Sequence, residues 1–175
     1  MAKMCRAHGK WRTGIQYLEE SLTLARQIGE VFLESFTLNN IGSDKGHYVT
    51  LKGEAQQALE QSLLIKERIG SAKNASLSVL GWVFLSQGKW RTAEECFRKA
   101  MDESNQLGQA LYRHFIGWLS MLQGKYALAE KEFLYRLEVL KKYQRPPRLQ
   151  DHIAPILNYA LVGNIPQARK YLEDI

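Results

Sequence analysis

The chain is 175 residues long, enough for one domain of ordinary size and too short for two full ones. It is 45% hydrophobic and 24% charged, with four prolines and thirteen glycines, a balance that excludes a disordered, fibrous or low-complexity chain. No apolar run approaches the roughly eighteen residues of a membrane span, and a formal charge of +6 is only modestly basic.

The opening MAKMCRAHGKW carries positive charge with no apolar stretch behind it, so it does not read as a secretory signal. Cys5 and Cys96 are too few and too distant for a disulfide framework, and read as free thiols in a reducing compartment. A cytoplasmic protein is expected. The glycosylation triplet at Asn74-Ala75-Ser76 means little without export, and Asn74 reads as a polar residue near a helix start.

Self-similarity organises the rest of the chain. Gly9-Lys10-Trp11-Arg12-Thr13 recurs as Gly88-Lys89-Trp90-Arg91-Thr92, and related units start at Gly53, Gly124 and Gly163. These five glycines are spaced by 44, 35, 36 and 39 residues. Second glycines follow at Gly29, Gly70 and Gly108, so each unit is predicted to be two short helices punctuated by glycine. In chain order the units run approximately 1–29, 30–70, 71–108, 109–145 and 146–175, a single array of about four and a half repeats.

The first unit begins partway through a helix and offers Gly14, Leu18 and Ser21. The second carries Leu38, Ile41-Gly42 and Ala58, with four extra residues between Gly42 and Gly53, about one helical turn. Two glycines and a β-branched pair in Gly42–Thr50 weaken a helix, so this insertion is expected to bend or bulge. It either shapes one end of a groove or adds a tolerated turn at an exposed edge. The third unit is the best formed: Leu77, Leu80, Gly81 and Phe84 make one apolar stripe, and Ala93, Phe97 and Ala100 another. Gly81 and Ala93 let the two helices approach closely while Phe84 and Phe97 fill the remaining space. The fourth repeats Ile116-Gly117, Ala129 and Phe133, but places Ser120 where an aromatic is expected and Arg136 where a small residue is expected. The fifth keeps Tyr159, Ala168 and Leu172.

With Leu80-Gly81, Phe84, Ala93, Phe97 and Ala100 at these offsets, the chain resembles the tetratricopeptide repeat family along essentially its whole length. The resemblance implies an all-α fold, an α-α superhelix: a right-handed solenoid of antiparallel helix pairs. It also implies a non-enzymatic module that binds protein or peptide as a scaffold or adaptor. The proline that often closes such a repeat is missing at Asn105, although Pro146-Pro147 follows later. Repeats of roughly 36–44 residues resemble the variants of bacterial regulators and scaffolds. A second reading is therefore the ligand- or partner-sensing arm of a bacterial transcription regulator or signalling ATPase.

A stack of helix pairs generates a concave surface used for binding. The first helix of each unit is expected to line it with residues its core stripe leaves over: Phe36, Asn39 and Ser43; Ala75, Ser78, Trp82, Leu85 and Ser86; Leu111, His114, Trp118, Met121 and Leu122; Ile153, Leu157 and Leu161. Trp82 and Trp118 follow equivalent glycines. Either they face solvent as an apolar strip that marks a binding site, or they tuck between neighbouring units as core. Asn39 has a donor and an acceptor with which to grip a peptide backbone, or is a solvated or helix-bridging residue. Phe36, Asn39, Ser78, Trp82, Leu111, His114, Trp118, Met121 and Leu157 are the candidate contact residues. One branch of the family clamps chaperone tails with concave lysines, arginines and asparagines. Apart from Asn39 this chain lacks them, so the groove suits an amphipathic helix or an extended apolar segment.

Nothing points to catalysis or a cofactor. Gly81 to Lys89 resembles a phosphate loop, but six residues separate its glycines where four are required. His8, His47, His114 and His152 have no partner at metal-ligand spacing, and no serine sits in a nucleophile elbow. Lys141, Lys142, Arg145 and Arg148 cluster around Pro146-Pro147 and read as a solvated inter-repeat loop near a helix C-terminus, not a nucleic-acid surface. Neither end looks like a finished cap, which predicts either a longer parent protein or self-association through the open ends.

Overall fold

The computed structural model describes residues 11–173; Cys5, His8, Gly9 and Ile175 lie outside the described residues. Among these the secondary structure is nine α-helices and one 3-10 turn, with no strand. The helices are α1 (Trp11–Gln27), α2 (Val31–Gly46), α3 (Lys52–Arg68), α4 (Asn74–Ser86), α5 (Trp90–Asp102), α6 (Gln106–Leu122), α7 (Tyr126–Lys142), α8 (Leu149–Leu161) and α9 (Ile165–Glu173), with the 3-10 turn at Val49–Leu51. Two compact units divide within α5, between Cys96 and Phe97.

The glycine beat is a helix-stop signal. At Gly88 φ is 74°, and the amide of Lys89 donates to the Phe84 carbonyl at 3.0 Å while that of Gly88 donates to Leu85. Gly124, at φ 75°, closes α6 in the same way, with Lys125 N–H donating to Ser120 at 2.8 Å. This left-handed cap satisfies carbonyls that the helix end would otherwise strand. Two glycines of the beat serve differently. Gly53 lies in the first turn of α3, and Gly108 in the first turn of α6, where its amide donates to the Asn105 cap at 3.0 Å. Asparagine caps α6 because its side-chain oxygen accepts the stranded amide.

In the first unit Leu38, Ile41, Ala58 and Ile65 form the core, with Leu18 and Leu22 packed on it. A Cβ at Gly42 would strike Leu59 Cγ and come within 3.0 Å of the Ala55 carbonyl oxygen, so the α2–α3 pair closes to a distance only glycine permits. The insertion is helical as far as Gly46, where a Cβ would meet Val83 Cγ2 at 3.0 Å, and then bends at Tyr48 into the 3-10 turn at Val49–Leu51.

In the second unit Met121, Ala129, Phe133 and Ala154 form the core, with Trp118 and Tyr126 packed against it. Gly117 plays the part of Gly42: its missing Cβ leaves room for the Phe133 ring. Burying a side chain as large as Phe133 completely contributes about 2–3 kcal/mol. Arg136, at the position that predicted a small residue, is buried and donates from Nε to Asp151 Oδ1 at 3.2 Å. Asp151 in turn accepts from the Arg148 amide at 2.9 Å, so one carboxylate neutralises the arginine and caps α8. Leu172, expected in the core, is 62% exposed on the short α9.

Candidate binding face

The sequence-derived contact residues separate into two groups with different environments. In the first unit Phe36 on α2 is 52% exposed and Trp82 on α4 is 38% exposed. Beside Trp82 is a cleft of about 130 Å³ lined by Ser43, Gly46, His47, Val79, Trp82 and Val83. Asn39 and Ser78 are half-buried. Ser78 spends its hydroxyl on its own helix, donating to the Ala75 carbonyl at 3.0 Å. Asn39 Oδ1 accepts from Ser76 Oγ at 2.8 Å, which ties α2 to α4 and sets the two helix faces side by side.

In the second unit two of the five candidate residues are buried. His114 and Met121 are buried at 2% and 6% exposure and present no contact surface. Leu111 is half-buried, and Leu157 on α8 is exposed. Trp118 is half-buried: its indole stands edge-on to Phe133 with centroids 6.0 Å apart, and its Nε1–H donates to His114 Nε2 at 3.1 Å. The physical reason is the neighbour one turn earlier. His114 offers Trp118 an acceptor and packs its own ring 5.2 Å from Phe133, whereas Ser78 holds that place before Trp82. Burial pushes the His114 pKa down to about 4; Arg136 lowers it further and Asp151 opposes. The imidazole is therefore neutral at pH 7 and accepts at Nε2, so Nδ1 carries the hydrogen, buried and without a hydrogen-bond partner.

Ser43, Gly46 and His47 of the cleft belong to the insertion read as shaping one end of a groove, whereas Val79, Val83 and the buried polar chain beneath Asn39 were missed by sequence reasoning. The available signal was serines at 35, 62 and 76 and Lys66 falling on inward positions of otherwise apolar helix faces. No group of three or more His, Cys, Asp or Glu residues that could hold a metal occurs among the described residues. No helix among them is long and apolar enough to cross a membrane. The face offers apolar area, an imidazole and an amide.

Glycine-capped helix hairpins with small residues at their crossings define an all-α protein of the α-α superhelix class. Residues 76–111 match the tetratricopeptide repeat family. That match covers about one repeat, and solved repeat proteins share the fold over nearly the whole chain. The crystal structure of nearly identical TPR-like repeats attributed to a Podosopora anserina kinesin light chain is similar, with a TM-score of 0.74 at 14% identity, covering 98% of this chain and 88% of that one. BtubC from P. vanneervenii has a TM-score of 0.74 at 16% identity, over 99% of this chain and 74% of its own. MamA has 0.65 at 14% identity, over 99% and 91%. At such identities these likenesses carry the fold alone. No curated protein matches the chain in sequence.

Proposed function

We propose that the chain is a protein-binding repeat module whose first unit presents the joined face of α2 and α4 to an apolar peptide segment of a partner. The carrying observation is the pair of exposed aromatics, Phe36 and Trp82, with the cleft beside Trp82. Large aromatics in contact with water are the residues whose desolvation dominates protein interfaces. The cleft has the size of one aliphatic side chain, and its lining is apolar apart from Ser43 and His47. An extended segment fits this arrangement by placing one side chain in the cleft and laying its neighbours on Phe36. The exposed apolar residue of the second unit's set, Leu157, is a candidate for a separate contact.

The test uses the intact chain as bait for a random peptide display library, followed by titration of the tightest peptide. Circular dichroism checks that Trp82→Ala and Phe36→Ala stay folded, and affinity is expected to fall about tenfold or more in each. A peptide bound equally well by both folded variants contradicts the assignment of the face.

A further inference from the structure

Beneath the α2–α4 face runs a buried polar chain that apolar recognition does not use. Lys66 on α3, 8% exposed, donates from Nζ to Ser76 Oγ at 2.8 Å. Ser76, fully buried in the first turn of α4, donates from Oγ to Asn39 Oδ1 at 2.8 Å. Ser62 on α3 donates to the Ser35 carbonyl at 2.7 Å and stands 3.2 Å from Ser76 Oγ.

The direction of the hydrogens follows from the chemistry. An ammonium group has donors and no acceptor, so the Ser76 oxygen accepts from Lys66 and its single hydrogen points elsewhere. The 2.8 Å separation from Asn39 is the length of a hydroxyl-to-carbonyl bond, whereas 3.2 Å to Ser62 is long for one between hydroxyls. Ser76 therefore donates to Asn39, and Asn39 turns its carbonyl oxygen inward. Its amide NH2 faces away from the chain and makes no hydrogen bond among the described residues. Asn39 lies one turn after Phe36 and one turn before Ser43 of the cleft, so that NH2 sits along the proposed contact line.

We propose that Lys66 and Ser76 are positioning residues that lock Asn39 as a donor-only contact, so that the first unit selects a segment presenting a main-chain carbonyl at that point. The proposal rests on the binding reading given above. It departs from the sequence expectation in one respect: an unconstrained asparagine grips a backbone with donor and acceptor together, and a locked one recognises only the acceptor. A segment that placed an N–H opposite Asn39 would leave two donors facing each other, which disfavours that register.

Two measurements on the full chain decide it. In the first, 15N relaxation of the Asn39 side-chain amide in the unliganded protein is expected to give an order parameter near about 0.85, as for a rigid group, falling towards about 0.6 in Ser76→Ala and in Lys66→Met. Circular dichroism checks that both variants stay folded. An amide already mobile in the wild type, or equally rigid in both folded variants, overturns the lock. In the second, the probe is the tightest peptide from the display library. Asn39→Asp keeps the inward acceptor for Ser76 and removes the outward donor, and is expected to weaken binding about tenfold. Undiminished binding by Asn39→Asp overturns the donor role. If the library yields no peptide for this face, the binding reading fails on its own, and the relaxation data still decide whether the lock exists.

Discussion

Gly117 gives the sharpest test of how the helix pairs are packed. Replacing it with alanine has two opposed effects. Alanine gains about 1 kcal/mol of helix propensity over glycine in a helix interior. Against that, its Cβ would lie 2.6 and 2.8 Å from two ring carbons of Phe133 and 3.2 Å from Glu132 Cβ. Carbon atoms rest about 3.5–4.0 Å apart, so the ring must move by about 1 Å. It has little room to do so, being fully buried with the His114 ring 5.2 Å away on one approach and the Trp118 indole at 6.0 Å on another. Overpacking of this kind costs about 1–3 kcal/mol, and a rigid ring belongs at the upper end. The net expectation is a loss of about 1–2 kcal/mol, a fall in Tm of about 2–8 °C for a chain of this length. Thermal and urea unfolding followed by circular dichroism measure it. Gly53→Ala is the control: nothing lies within 4 Å of its Cβ position, so only the propensity term acts and Tm rises slightly. A Gly117→Ala variant as stable as the wild type would refute the close-approach argument.

The remaining predictions concern the second unit. Asp151→Ala leaves Arg136 buried without its carboxylate and removes the acceptor for the Arg148 amide, so a loss of about 3–5 kcal/mol is expected in urea unfolding. The double change Arg136→Met with Asp151→Asn recovers most of it, because no unpaired charge is then buried. His114 makes stability depend on pH. Its folded pKa, about 4, lies below the unfolded 6.5, so between those values the unfolded chain binds more protons. Stability is therefore full above about pH 6.5 and declines as pH falls towards 4, by on the order of 3 kcal/mol. His114→Gln flattens that slope in urea midpoints measured at pH 7 and pH 5, and an unchanged slope contradicts the assignment.

The packing pattern was legible in the sequence because it is local. Ala93, Phe97 and Ala100, spaced to share one helix face, are all fully buried, as are Ala129 and Phe133. The glycine caps at Gly88 and Gly124 were equally visible, since only a positive φ requires that residue there. What failed depends on partners distant in sequence. Trp82 and Trp118 occupy equivalent positions, yet Trp118 is held by His114 and Phe133 while Trp82 borders an open cleft. Arg136 stood out as an anomaly, but its explanation, Asp151, lies 15 residues on in another helix. The helix-weakening residues of the insertion were visible, but not the place of its bend, which comes only after Gly46 has packed beside Val83. Ser62, Lys66 and Ser76 fall on inward helix positions, but which of them bond to one another emerges only when three helices are placed together.

Hydrogen–deuterium exchange of the full chain, with and without its tightest library peptide, tests the central claim most directly. The account predicts that added protection concentrates in α2 and α4, around Phe36 to His47 and Ser78 to Ser86. Protection confined to α6 and α8, or to the basic loop between Lys141 and Arg148, would contradict it.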